Sequence, residues 1–101
     1  MRKFRIDAYE SRGEFDWDEA KARSNLAKHG VPFRYAVRVF LDPDMVDFDA
    51  SREGDMEARR KAVGLIEGKL YVVVYVDREG LRRIISARRT NVTEQRAYGP
   101  V

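Results

Sequence analysis

Cysteine is absent from the 101 residues, so neither disulfides nor thiolate metal sites can brace the chain. Histidine is almost absent as well: His29 stands alone, too little for a multi-histidine metal centre. No carboxylate spacing argues for a bound magnesium ion, so we expect no metal and no cofactor. Long apolar runs are missing, and the N-terminus carries no apolar signal core. These absences lead us to expect a cytoplasmic protein with no membrane partner. Internal repeats and low-complexity segments are missing too, and the length suits one domain with one core.

Charge is present in excess. Charged residues make up 37% of the chain, too many to bury, so they must coat the surface. The net charge is only +3, yet 15 arginines point to concentrated positive patches. An arginine fork grips two phosphate oxygens at once, which puts nucleic acid first among partners and an acidic protein second.

Residues 1–13 are mixed and highly charged. Phe4, Ile6 and Ala8 alternate, as in a short edge strand or a simple lead-in, and we treat the stretch as an N-terminal extension of one domain, 14–101. Residues 14–17 read as a strand with Phe15 and Trp17 on one face, Trp17 being core rather than a base-stacking platform. Asp18 caps a helix that stops at Gly30, with a weak apolar stripe of Ala20, Leu26 and Ala27. Lys21, Asn25, Lys28 and His29 share one arc of that helix, either a functional face or a solvated one. Pro32 opens a second helix whose Phe33, Ala36, Val37 and Phe40 follow the core-facing spacing, and Asp42-Pro43-Asp44 ends it. Residues 45–49 alternate like a strand, and 51–57 form a charged loop. Three strands follow, over 59–66, 69–76 and 81–88, joined by Glu67-Gly68 and by Arg78-Glu79-Gly80. Asn91, with Glu94 three places on, caps a last helix reaching Tyr98. The pattern predicts an α+β fold: an antiparallel sheet packed on one face by two N-terminal helices plus a C-terminal helix.

The ordered set of segments resembles the BrnT family of type II toxins. Phe15-Asp16-Trp17-Asp18 with Lys21-Ala22 and Asn25 matches the family's opening, and Lys28-His29-Gly30-Val31 with Phe33, Ala36 and Phe40 its second block. Asp42-Pro43, Arg59 with Gly64, the run Arg83-Ile84-Ile85-Ser86-Ala87-Arg88, and Glu94 with Tyr98 complete it. Pro32 and Arg34-Tyr35 depart from the pattern, and residues 1–13 lie outside it. The resemblance implies a RelE-like fold, endoribonuclease activity on messenger RNA that blocks translation, and a neighbouring antitoxin similar to BrnA. That antitoxin would bind DNA as a ribbon-helix-helix dimer, so promoter DNA would be reached only through it.

RNA can be cut without metal because its own 2′-hydroxyl can attack the adjacent phosphorus. The protein must then offset phosphoryl charge and move two protons. We expect Arg88, at the end of the last strand, to clamp the scissile phosphate, or else to tether the final helix through Glu94. A two-residue Glu67-Gly68 turn sets Arg59 opposite Val76, on a face shared with Val72 and Val74, an unusual place for an arginine unless it lines a site. Whether Arg83 or Arg82 joins that face depends on the length of the second turn. His29 is suited to an acid or charge role, or to simple capping of its helix. Lys28 is a candidate for phosphate contact or the proton step, and Glu94 for the base or the cap. Lys21, Arg83 and Tyr98 are the expected substrate contacts. The rival reading is a basic module that grips RNA or an antitoxin without cutting.

Overall fold

The computed structural model describes residues 2–5, as backbone, and 14–101; the rest of the N-terminal extension lies outside them. The elements run β1 (Arg2–Arg5), β2 (Glu14–Trp17), α1 (Glu19–His29), α2 (Phe33–Ala36), a 3-10 turn (Val37–Leu41), β3 (Val46–Asp49), β4 (Arg60–Ile66), β5 (Lys69–Arg78), β6 (Leu81–Arg89) and α3 (Val92–Tyr98). The expected order is therefore found, with β1 added at one edge. The strands form one sheet in the order β1-β2-β6-β5-β4-β3.

Two features of the sheet depart from expectation. It is mixed, because β2 runs parallel to β6, with Asp16 level with Arg83. Local patterning cannot show this pairing, since it joins strands separated by most of the chain. The helices also do not share a face. Side chains alternate along each strand, and Ala62, Ile66, Val73, Tyr75, Ile84 and Ala87 point into the main core with Phe15, Trp17, Phe33, Ala36, Val37 and Phe40. Tyr98 of α3 instead packs on Val63, Leu70 and Val72, which belong to the other side. We call the first side the core face and the second the open face, which α3 covers only at one end.

Local chemistry accounts for the main joints. The β4–β5 and β5–β6 hairpins close through two-residue turns, Ile66 pairing with Lys69 and Arg78 with Leu81. Both turns hold positive φ at their central pair, 50° and 80° at Glu67-Gly68 and 56° and 87° at Glu79-Gly80, the twist that suits adjacent antiparallel strands. The second apolar segment is a short helix that tightens into a 3-10 turn where Val39 crosses β4. At that crossing a Cβ on Gly64 would lie 2.8 Å from both the Cβ and the carbonyl oxygen of Val39, so only glycine fits.

α1 docks differently from expectation. Leu26 is 47% exposed, and Asn25 is the helix's buried residue. β2 pairs with β6 only as far as Arg83, so Ala87 presents an open backbone edge. The Asn25 amide fills it: its Nδ2 donates to the Ala87 carbonyl at 2.8 Å and to the Val31 carbonyl at 3.0 Å, and its Oδ1 accepts from the Ala87 N–H at 3.1 Å. A side chain thereby stands in for a missing strand.

Candidate functional site

The two-residue turn at Glu79-Gly80 settles the register left open above, pairing Val76 with Arg83. Arg60 pairs with Tyr75, so one place earlier Arg59 comes level with Val76. Arg59, one residue before β4 rather than within it as expected, thus forms a row with Val76 and Arg83 on the open face. The next row is Lys61, Val74 and Ser86; the one after is Val63, Val72 and Arg88. Between Val74 and Tyr75 the register shifts, leaving Ile85 as an extra residue bulged on β6. Bulges re-aim side chains next to sites, and Ile85 is turned onto the same face.

The first row floors a groove of about 540 Å³ lined by Lys21, Arg59, Val76, Arg78, Arg83 and Ile85, with the loop residues Gly54, Asp55, Met56 and Glu57 along one rim. The base of that loop is closed by backbone hydrogen bonding. The Ala50 N–H donates to the Arg59 carbonyl at 2.8 Å, and the Arg59 N–H to Ser51 Oγ at 2.9 Å. The Arg59 guanidinium forms an ion pair with Asp55 at 3.7 Å, longer than a hydrogen bond, so its N–H donors are not used on that carboxylate. At the mouth Arg78 donates to both carboxylate oxygens of Glu57, and that hydrogen bonding holds the Glu57 carboxyl below the usual carboxylate range.

A shallower hollow adjoins the groove and shares Lys21 and Ile85 with it. Ser24, Asn25, Lys28, His29 and Ser86 complete its wall. Lys21, Lys28 and His29 are exposed along α1, and His29 is the last residue before Gly30, which ends the helix at φ 70°. The expected polar arc therefore borders the sheet, with Asn25 fixing it there and Lys21 joining the groove to the hollow.

Arg88 and Glu94 are differently placed. The Glu94 side chain is 1% exposed and accepts four hydrogen bonds: Arg88 at 2.8 Å on each oxygen, Lys61 at 2.9 Å and the Asn91 N–H at 2.9 Å. Asn91 in turn accepts from the Glu94 N–H, so the expected capping box is formed. Burial by itself pushes this carboxyl up, but the hydrogen bonds from Arg88, Asn91 and Lys61 outweigh it and hold it down at about 2. So held, Glu94 is a poor proton acceptor, and its geometry is that of an anchor between helix and sheet. Arg88 lies on the groove's face but four places along β5 from the Arg59 row, about 13 Å. Tyr98 lies farther still. Its hydroxyl donates to Asp42 at 2.6 Å, which pushes the phenol up to about 12, and Asp42 also accepts from the Leu65 N–H at 2.8 Å.

The structure thus brings Arg59, Arg83 and Lys21 together, sets Lys28 and His29 beside them, and holds Arg88, Glu94 and Tyr98 in contacts of their own. Arg78, Met56 and Ile85 are groove residues that sequence reasoning passed over. The turn before Leu81 was the available signal for Arg78, whereas the bulge at Ile85 leaves no mark in the pattern. Among the described residues, no group of three or more His, Cys, Asp or Glu side chains is placed to hold a metal ion, and no helix is long and apolar enough to cross a membrane.

A family model described as ribonuclease toxin, BrnT, of type II toxin-antitoxin system matches residues 17–94. No curated protein matches the chain significantly.

Proposed function

The chain belongs to the BrnT family of ribonuclease toxins of type II toxin-antitoxin systems, and from that premise we propose that the open-face groove is where it cuts messenger RNA. The observation that carries this reading is the row Arg59–Val76–Arg83, which with Lys21 and Arg78 sets four cations around one groove. The arginine forks of Arg59 and Arg83 can take the non-bridging oxygens of a phosphodiester and offset the charge that develops on them, commonly the largest single contribution to such catalysis.

The reaction needs no metal in this reading. The 2′-oxygen forms a bond to the adjacent phosphorus while the bond to the 5′-oxygen breaks. The 2′-hydroxyl proton passes to a base on the protein, and a second group protonates the departing oxygen. The products are a 2′,3′-cyclic phosphate and a free 5′-hydroxyl. His29 and Lys28, exposed beside the groove, are the candidates for the two proton steps. Arg88 supports the site by anchoring α3 to the sheet through Glu94, and Tyr98 bounds the far end of the face.

The finer family features belong to the same proposal: a RelE-like arrangement of the 14–101 domain, a cytoplasmic setting and a cognate antitoxin. That antitoxin is similar to BrnA and carries the pair to promoter DNA. An acidic segment of it would find in the groove the charge complement of RNA.

Incubating the purified chain with unstructured RNA in EDTA tests the reading. Cleavage with cyclic phosphate ends is expected. RNA bound but uncut, with or without Mg²⁺, would replace it with a non-catalytic binding module.

A further inference from the structure

Cations account for one half of what a nucleotide offers; the other half is a flat, apolar base. Met56 is 99% exposed, although its side chain is apolar, and it stands on the groove rim. Below it the floor carries Val76, only 6% exposed, and the bulged Ile85. The loop that presents Met56 is tied on both sides of it. The Asp55 N–H donates to the Arg52 carbonyl at 3.0 Å, the Arg52 N–H donates to Asp55 at 2.6 Å, and Glu57 is gripped by Arg78. Gly54, at φ 91°, provides the turn.

A single exposed apolar side chain is ordinary on a protein surface. Met56 differs in lining one groove with two β-branched floor residues, Val76 and Ile85, and with Lys21, Arg59, Arg78 and Arg83, against the two rim carboxylates of Asp55 and Glu57. An apolar slot beside cations, its two carboxylates already engaged by Arg78 and by the Arg52 N–H, is the complement of a nucleotide whose base has left its stack. A thioether suits such a slot, because it is polarizable, flexible and favourable against aromatic rings. At about 540 Å³ the groove also falls within the range of roughly 300–1,000 Å³ typical of small-ligand sites.

We propose that Met56 is a base-contacting residue: it closes over a nucleobase adjoining the phosphate held by Arg59 and Arg83, while Val76 and Ile85 support the base from below. This rests on the ribonuclease reading for the identity of the ligand. An acidic partner segment would need the cations but not the slot, which favours RNA as the occupant.

The test uses the full chain, wild type and Met56→Ala, binding a short unstructured RNA made uncleavable by 2′-O-methyl groups. A second oligonucleotide of equal length and charge lacks bases. Met56→Ala is expected to weaken binding of the normal RNA by about three- to ten-fold, in keeping with a sulfur–ring contact. It should not change binding of the abasic strand, Met56→Phe should restore affinity, and the melting temperature should not move. Equal affinity of wild type and Met56→Ala for the normal RNA overturns the proposal, and so does an equal loss on the abasic strand. Unchanged RNA binding with weakened antitoxin binding assigns the slot to the protein partner instead. Because binding is read without cleavage, a chain that never cuts RNA would end the catalytic reading while leaving the base contact to be judged on its own.

Discussion

Two basic clusters occupy the open face, and they do opposite things with their charge. At the α3 end, Arg88 and Lys61 converge on one carboxylate that is 1% exposed. At the other end, Arg59 and Arg83 stand over a groove whose acidic residues sit on the rim. In the first cluster the carboxylate is desolvated and every lone pair is used, so the cations are spent on holding a helix. In the second Asp55 lies 3.7 Å from the Arg59 guanidinium, beyond hydrogen-bond reach, so Arg59 keeps its N–H donors for a ligand. Counting arginines therefore cannot locate a phosphate site; the burial of the counter-charge does.

The largest effect expected is from removing that buried carboxylate. Glu94→Ala leaves Arg88 and Lys61 facing each other and opens the capping box, which should cost on the order of 3 kcal/mol. Denaturant unfolding measures it, and a loss below about 1 kcal/mol would erase the contrast between the clusters. The pH dependence sharpens it. The folded carboxyl titrates at about 2 against an ordinary 4.5, so its contribution is complete above the unfolded value and is lost as pH falls through the folded one. The stability gap between wild type and Glu94→Gln should hold steady above pH about 5 and shrink toward pH 2. A gap equal at pH 3 and pH 7 would count against the ionised anchor.

At the groove the prediction reverses. Arg59→Ala should lower RNA cleavage by about 10²- to 10³-fold, the effect of losing one preorganised charge donor, while stability changes by less than about 1 kcal/mol. The two quantities separate the clusters: Glu94 variants move the melting transition first, Arg59 variants the rate. If Arg59→Ala cuts RNA at the wild-type rate, the groove is not the site.

Asn25 links the sheet to the basic arc of α1. Replacing it by alanine strips partners from the buried N–H and carbonyl of Ala87, at a cost of about 2 kcal/mol, and lets Lys21, Lys28 and His29 drift from the groove. Activity should fall with stability, and Asn25→Asp, which keeps the acceptor but loses both donated bonds, should rescue neither fully. In the sequence Asn25 is one polar residue among several on an arc. The unpaired edge of β6 that it fills exists only because β2 stops pairing at Arg83, a long-range fact no local pattern carries. The same holds for the parallel β2–β6 pairing and for the placement of α3 on the far side of the sheet. The hairpins, the capping box and the position of Arg59 were legible because turn chemistry and alternation determine them within a few residues. The choice between Arg82 and Arg83 lay between those cases. It hung on one turn residue, and the losing arginine went to the core face, where its guanidinium lies 4.5 Å from the Phe40 ring centre.

That turn supplies the smallest effect. Glu79 sits at φ 56°, a left-handed conformation that asparagine tolerates better than glutamate. Glu79→Asn should raise stability by about 0.5 kcal/mol and leave RNA cleavage unchanged, because the two-residue turn keeps Arg83 level with Val76. Inserting one glycine after Gly80 is the companion experiment. If the Glu79-Gly80 turn keeps its two residues, the added glycine falls opposite Arg78, Arg82 comes opposite Val76 and Arg83 is carried off the groove, so cleavage should collapse even where the chain still folds. If the insertion variant folds with that shifted register and still cuts normally, Arg83 does not act from the groove, and its cations shrink to Lys21, Arg59 and Arg78.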